Sequence, residues 1–304
     1  MKNKFLLIIK ACRPDQWTKN LLVFSAPLFA FQFENYEIWI KSLYAFLSFC
    51  LISSAVYLIN DVLDAEADKK HPVKKFRPIA SGLLSKKYAL IFSFGLICTS
   101  FIVANSIQIL LLGLIAIYLI IQIIYSFKLK NQPLLDLQCI ASGFLLRAIS
   151  GGIAADLELS PWFLLSVWLI SLFLAVEKRK AELKLVNNKN YMSRKVLRRY
   201  SLELLTRIET LVLNSAFITY SLWSAGPILN GAKTSWMLAT IPFVLTGILR
   251  YQLISDEFNS SKYNQENINR SPERPERLIF YDKGIRYIIL FWFLEVLIIG
   301  FFSN

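Results

Sequence analysis

Apolar runs of roughly 17 to 25 residues, each long enough to cross a hydrocarbon core of about 30 Å as a helix, follow one another almost without interruption along this chain. They predict nine transmembrane helices, running approximately from Trp17 to Phe33, Glu37 to Asn60, Tyr88 to Asn105, Ile107 to Phe127, Leu134 to Ala155, Trp162 to Val176, Leu205 to Leu229, Trp236 to Leu253 and Ile285 to Phe302. The expected fold class is therefore all-α, a polytopic membrane protein. Polar stretches between the runs predict loops at 61–87, 177–207 and 255–284. Ahead of the first run, residues 1–16 carry Lys2, Lys4 and the short apolar run Phe5 to Ile9, with no small-residue cleavage site after it. That pattern suits an interfacial helix better than a signal peptide. No soluble domain or low-complexity tract interrupts the series, so residues 1–304 are expected to form one integral membrane domain.

Composition agrees with the pattern. Of the 304 residues 55% are hydrophobic, with 23 Phe and 7 Trp, and the mean hydropathy is +0.47, far above that of an ordinary water-soluble domain. Charge then orients the chain, because cytoplasmic segments accumulate Lys and Arg. With the N-terminus inside, nearly all of the 34 Lys and Arg fall on the inner side, the exceptions being Lys41, Arg147, Lys233 and Arg250. An odd number of spans puts the C-terminus outside, so the expectation is a multi-pass protein of the cell (inner) membrane with the 61–87 loop facing the cytoplasm. The net charge of +13 is accounted for by topology and attraction to anionic headgroups of the lipid bilayer. It does not indicate nucleic-acid binding, since the cations are divided among short loops. Cys12, Cys50, Cys98 and Cys139 show neither metal spacing nor a disulfide framework, and homo-oligomerisation is not legible.

One polar stretch stands apart. Asn60-Asp61-Val62-Leu63-Asp64-Ala65-Glu66-Ala67-Asp68 begins where the second span ends. On a continuous helix Asp61, Asp64 and Asp68 share a face beside Asn60, while Glu66 points elsewhere. Like charges along one stripe repel unless a cation neutralises them, and hard oxygen ligands suit Mg²⁺, which shares its shell with substrate phosphates. An acidic helix start stabilised by the macrodipole is the plainer explanation. The site at a span's mouth, followed at once by His71, Lys74, Lys75 and Arg77, favours a metal-bound diphosphate, with Arg77 as a fork and Lys74 as a point charge for its oxygens. Pro72, Pro78 and Gly82 would set the loop's path.

Other polar residues converge on the same side: Lys19 at the inner end of the first span, Tyr125 and Lys130 at the end of the fourth, and Lys178, Arg179 and Glu182 at the end of the sixth. Each lysine could equally be a snorkelling anchor. Arg147 lies deep in a span and should face the bundle interior, paired with a carboxylate or a bound phosphate. Gly143, Gly151 and Gly152 permit close helix packing around it. Glu295 in the last span is expected to find a partner in the bundle.

These residues resemble the UbiA superfamily of intramembrane prenyltransferases, whose N-D-x-x-D-x-x-x-D motif is matched by Asn60, Asp61, Asp64 and Asp68. Within it, the likeness is nearest to the decaprenyl-phosphate phosphoribosyltransferase branch. It rests on Arg13-Pro14 with Gln16-Trp17 and Lys19-Asn20, His71-Pro72 with Lys74 and Phe76-Arg77-Pro78, Arg147-Ala148-Ile149 with Gly151-Gly152, and Lys178-Arg179 with Ala181-Glu182. Glu177 and Lys180 depart from the glycine and tyrosine expected there. The resemblance implies a nine-helix UbiA-like bundle with a cytoplasm-facing active site. The implied reaction transfers the 5-phosphoribosyl group of phosphoribosyl diphosphate (PRPP) to a polyprenyl phosphate, a precursor step for arabinose-type cell-envelope glycans. Asp61, Asp64 and Asp68 would hold Mg²⁺, with Asn60 and Tyr125 at the substrate. Lys74, Arg77 and Lys130 would line the diphosphate or the sugar phosphate, Lys19, Arg147, Lys178 and Arg179 are candidates for the acceptor phosphate, and Glu182 would be among the substrate-binding residues. A basic sequence where a second acidic motif is usual favours this reaction over prenyl transfer to an aromatic acceptor. The rival outside enzymology is a transporter or lipid-binding protein.

Overall fold

The computed structural model describes residues 4–71, 74–189, 195–259 and 282–303, and among these there is no strand. Pro72 and most of the polar segment from Ser255 to Glu276 lie outside the described residues. The helices are α1 (Lys4–Cys12), α2 (Ser25–Phe29), α3 (Tyr36–Leu63), α4 (Ala65–Lys69), α5 (Lys86–Ile107), α6 (Ile109–Phe127), α7 (Leu135–Ala155), α8 (Pro161–Lys189), α9 (Leu202–Ser224), α10 (Ile241–Asn259) and α11 (Lys283–Ser303). Side-chain caps start several of them, as orphan N–H groups require. Asn35 accepts from the Ile38 amide, Ser85 from Tyr88, Ser201 from Leu204 and Asp282 from Ile285.

Among the described residues seven helices are long and apolar enough to span a bilayer: Tyr36–Leu63, Lys86–Ile107, Ile109–Phe127, Leu135–Ala155, Pro161–Leu183, Ser235–Ser255 and Lys283–Ser303. Two of the nine expected spans differ. The first is a 3-10 helix, Pro14–Phe24, followed by the five residues of α2. Pro14 starts it, and its Asp15, Gln16, Thr18, Lys19 and Asn20 give it too little apolar length. The second is α9, which is long enough but carries Glu203, Arg207 and Glu209. The loop expected from residue 177 is also corrected, because α8 continues unbroken to Lys189. The interfacial segment contains a helix, α1, with Leu7, Ile8, Ala11 and Cys12 buried and Phe5, Leu6 and Ile9 exposed.

The chain packs as two compact units. The first holds residues up to 28, 32–130 and 146–158. Here α3 is the central element, packed against α1, the Pro14–Phe24 helix, α5 and α6. Phe49, Ile52, Leu111 and Ile115 form its core, while Leu58, Ile79, Leu84 and Ala89 fill the space beneath the acidic end of α3. The second unit holds 29–31, 131–145 and 159–304, with α8 against α9 and α10 against α11. Leu137, Val176 and Leu205 sit at its core. Apolar side chains such as Phe94, Ile102, Leu211 and Phe301 are exposed, which suits lipid rather than water as the neighbour. Cys12, Cys50 and Cys139 are buried, Cys98 is exposed, and all four are free thiols.

Gly151 marks a close approach of two backbone segments in the first unit. A Cβ built there would fall 2.0 Å from the Val23 carbonyl oxygen, a backbone atom that cannot swing aside. Gly151→Ala should therefore push the two segments apart at a cost of about 1–3 kcal/mol. The check is a lower thermal midpoint in detergent; an unchanged one would show that the contact is slack. Glu295 departs from expectation, since its Oε2 is buried without a hydrogen-bond partner among the described residues.

Candidate active site

The acids sit on a helix that breaks. α3 ends at Leu63, and Asp64 is both its C-cap, with its amide bonded to the Asn60 carbonyl, and the N-cap of α4. The continuous stripe expected from the sequence is thus divided at its middle residue. The Asp64 side chain does not cap α4; it turns to Lys130, whose Nζ lies 2.6 Å from Oδ1. Glu66 points away into solvent, as expected, where hydrogen bonds from Lys86 and Lys69 hold its carboxyl below the usual range.

Asp61 and Asp68 are buried, at 2% and 4% exposure, so each ionised carboxylate needs a partner. Arg77 supplies one to both, its Nη1 donating to Asp61 Oδ1 at 3.2 Å and to Asp68 Oδ2 at 2.6 Å. Arg13 supplies the other, Nη2 donating to Asp61 Oδ1 at 2.5 Å. Three carboxylates thus meet three cations. The neutralisation that the acid spacing demanded is met here by the chain's own side chains. Arg13 was missed as a site residue, and its signal was available only in the run Arg13-Pro14 that carried the family resemblance.

The loop after α4 is built to deliver Arg77. His71 donates its amide to the Asp68 carbonyl and accepts the Lys74 amide on Nδ1, and the Arg77 amide bonds back to the Lys74 carbonyl. Gly82, at φ 77, takes the left-handed turn that returns the chain to α5. Lys74 is half-buried at the head of this loop.

Donor chemistry decides whether a metal fits. Among the described residues no three His, Cys, Asp and Glu converge into a ready-made cage. Mg²⁺ does not need one, since it is usually bound by one or two carboxylates together with phosphate oxygens and water. The hard-oxygen set is present, and Asn60 Oδ1 is buried with no hydrogen-bond partner among the described residues, beside Asp61. An orphaned buried acceptor at that position suits a ligand.

Other predicted residues fall into separate groups. Arg147 is buried, as expected, but its partners include an amide and a phenol: Nε donates to Asn20 Oδ1 at 2.7 Å and Nη2 to the Tyr118 hydroxyl at 3.2 Å. The guanidinium also lies over the Phe49 and Tyr118 rings. Lys19 and Tyr125 are half-buried in the same unit.

Lys178, Arg179 and Glu182 belong to the second unit. Lys178 is half-buried. Arg179, expected at a substrate phosphate, is instead wholly buried, with Nε on Asp136 Oδ2 at 2.7 Å and Nη1 on Glu182 Oε2 at 2.5 Å. Tyr200 donates to the other Asp136 oxygen and accepts the Leu134 amide, and burial raises its hydroxyl above the ordinary phenol range, keeping it a donor. Lys180 is enclosed by Glu177 at 2.9 Å and by Glu209, with Ser255 and Gln252 completing the two carboxylates. Buried pairing explains why this charged stretch stays helical where the sequence suggested a loop.

A model described as the UbiA prenyltransferase family matches residues 21–266. The chain belongs to that family. Among its UbiA relatives, the decaprenyl-phosphate phosphoribosyltransferase of Mycolicibacterium smegmatis is 37% identical over 303 residues, covering 96% of this chain and 91% of that protein. The protein of the same name in Corynebacterium glutamicum is 35% identical, covering 94% and 84%. A UbiA homolog from Archaeoglobus fulgidus, solved with GPP and Mg²⁺, superposes with a TM-score of 0.70 over 98% of this chain and 99% of its own. At 18% identity that likeness speaks for the UbiA fold alone.

Proposed function

We propose that this UbiA-family protein transfers the 5-phosphoribosyl group of PRPP to a polyprenyl phosphate, releasing diphosphate, from the cytoplasmic side of the cell membrane. The observation that carries the reading is the meeting of Asp61, Asp64 and Asp68 with Arg13, Arg77 and Lys130 at one helix end. The full-length relatives named for this transfer support it.

In the reaction an oxygen of the acceptor phosphate attacks C1 of the ribosyl group, and the C1–O bond to diphosphate breaks with its electron pair going to the leaving group. No general base is required, because a phosphate monoester with a second pKa near about 6 is already largely ionised at neutral pH. Magnesium, when bound, would offset the charge developing on the leaving diphosphate. Asp61, Asp64 and Asp68, with Asn60 Oδ1, would supply hard oxygens for it. Arg77 and Lys130 can exchange their carboxylate contacts for phosphate oxygens, and Lys74 at the loop head lines the same donor. Arg147 and Lys19 serve the acceptor phosphate, while Arg179 acts by positioning α8. Catalysis then rests on placement and charge stabilisation.

The test supplies purified protein in detergent with Mg²⁺, labelled PRPP and decaprenyl phosphate, and identifies lipid products by mass spectrometry. Polyprenylphosphoryl-5-phosphoribose and diphosphate are expected, and chelating the metal should abolish both. Product formed only from a prenyl diphosphate and an aromatic acid would overturn the proposal, as would substrate movement without bond cleavage.

A further inference from the structure

Arg13 holds the left-handed conformation, at φ 54 and ψ 63, immediately before Pro14. That region is unfavourable for a residue with a Cβ, and a following proline narrows the choice further. Strained backbone persists only where its surroundings fix it, and here they do. The buried Ser54 hydroxyl shares its proton between the Cys50 carbonyl of its own helix at 2.7 Å and the Cys12 carbonyl at 3.1 Å and accepts the Trp17 indole N–H at 3.1 Å, so it contacts the chain on both sides of Arg13. One helical turn further along α3, the Tyr57 ring lies 4.8 Å beneath the guanidinium. One turn beyond that, Asp61 receives Nη2. Residues 54, 57 and 61 share a face of the helix, so a single stripe of α3 sets the turn, supports the cation and anchors it.

We infer that Arg13 is a further binding residue of the site, gripping the diphosphate of the donor beside Arg77. The inference rests on the reading of this site as the PRPP site. Among the described residues the hydrogen bond to Asp61 uses Nη2 alone, which leaves the Nη1 and Nε edge of the fork to meet phosphate oxygens. The side chain is 24% exposed, which lets a ligand reach it. The cation–π contact with Tyr57 restrains the guanidinium, and a planar fork so restrained recognises phosphate better than a flexible ammonium. An anchor at Asp61 rather than at the loop also makes Arg13 independent of the path from His71 to Arg77.

The experiment measures KM for PRPP and for decaprenyl phosphate, at saturating Mg²⁺, in the wild type, Arg13→Gly and Arg13→Lys. Glycine accepts the left-handed turn without strain, so Arg13→Gly removes the guanidinium while sparing the fold. The PRPP KM should rise about 10- to 100-fold, the value of a charge-assisted contact. The decaprenyl phosphate KM should stay within about twofold and the thermal midpoint near the wild-type value, and Arg13→Lys should recover part of the loss. An unchanged PRPP KM in Arg13→Gly, with the wild type turning over PRPP, overturns the inference alone. So does a parallel rise in both KM values with a lowered midpoint, which marks a purely structural residue. A wild type that makes no product from PRPP overturns the underlying reading instead.

Discussion

Asp61→Asn is expected to lower turnover by about 10³-fold or more while leaving membrane insertion intact. The substitution conserves volume and removes one charge from the most buried carboxylate of the cluster. Two guanidiniums share its Oδ1, so the change leaves Arg13 without its acid and Arg77 with Asp68 only. On the proposed reading, a hard anionic ligand for Mg²⁺ would be lost at the same time. Asp64→Asn should be comparably severe by a different route, since Asp64 is more open, at 30% side-chain exposure, and is tied to Lys130. The measurement is the initial rate of labelled lipid product from purified protein, alongside its yield in the membrane fraction. Activity within about threefold of wild type in Asp61→Asn would rule out this cluster as the site.

The largest expected effect on stability is at Arg179. Its side chain and that of Asp136 are both at 0% exposure, so Arg179→Leu strands a buried carboxylate that, among the described residues, has only the Tyr200 side chain left to share its charge. Removing one partner of a buried pair costs about 3–5 kcal/mol, whereas replacing both with apolar groups is often close to neutral. Arg179→Leu should thus unfold well below the wild type in detergent, and adding Asp136→Leu should restore much of the loss. Equal melting midpoints for wild type and Arg179→Leu would mean that the pair does not hold this unit together.

The apolar runs made the membrane helices legible because each needs only length and hydrophobicity. Two expected spans fall short of that measure among the described residues, where polar residues shorten the run, between Pro14 and Asn20 and around Glu209. The acid spacing identified the cluster, but it could not show that the helix breaks at Asp64 or that Arg13, 48 residues from Asp61, closes the charge balance. Partners so distant in sequence have no local pattern. The stretch from Glu177 to Glu182 read as a loop because charges usually seek water. Its burial depends on Asp136, Glu209 and Ser255, three residues on three other helices.

Arg77 bridges Asp61 and Asp68 on opposite sides of the break at Asp64, and so works as a splint across a fracture. The segment that follows those two acids thus ties them together across the break. Moving the nine residues from Asn60 to Asp68 into another scaffold would carry the ligands without their geometry, and a working transplant would have to extend at least to Arg77.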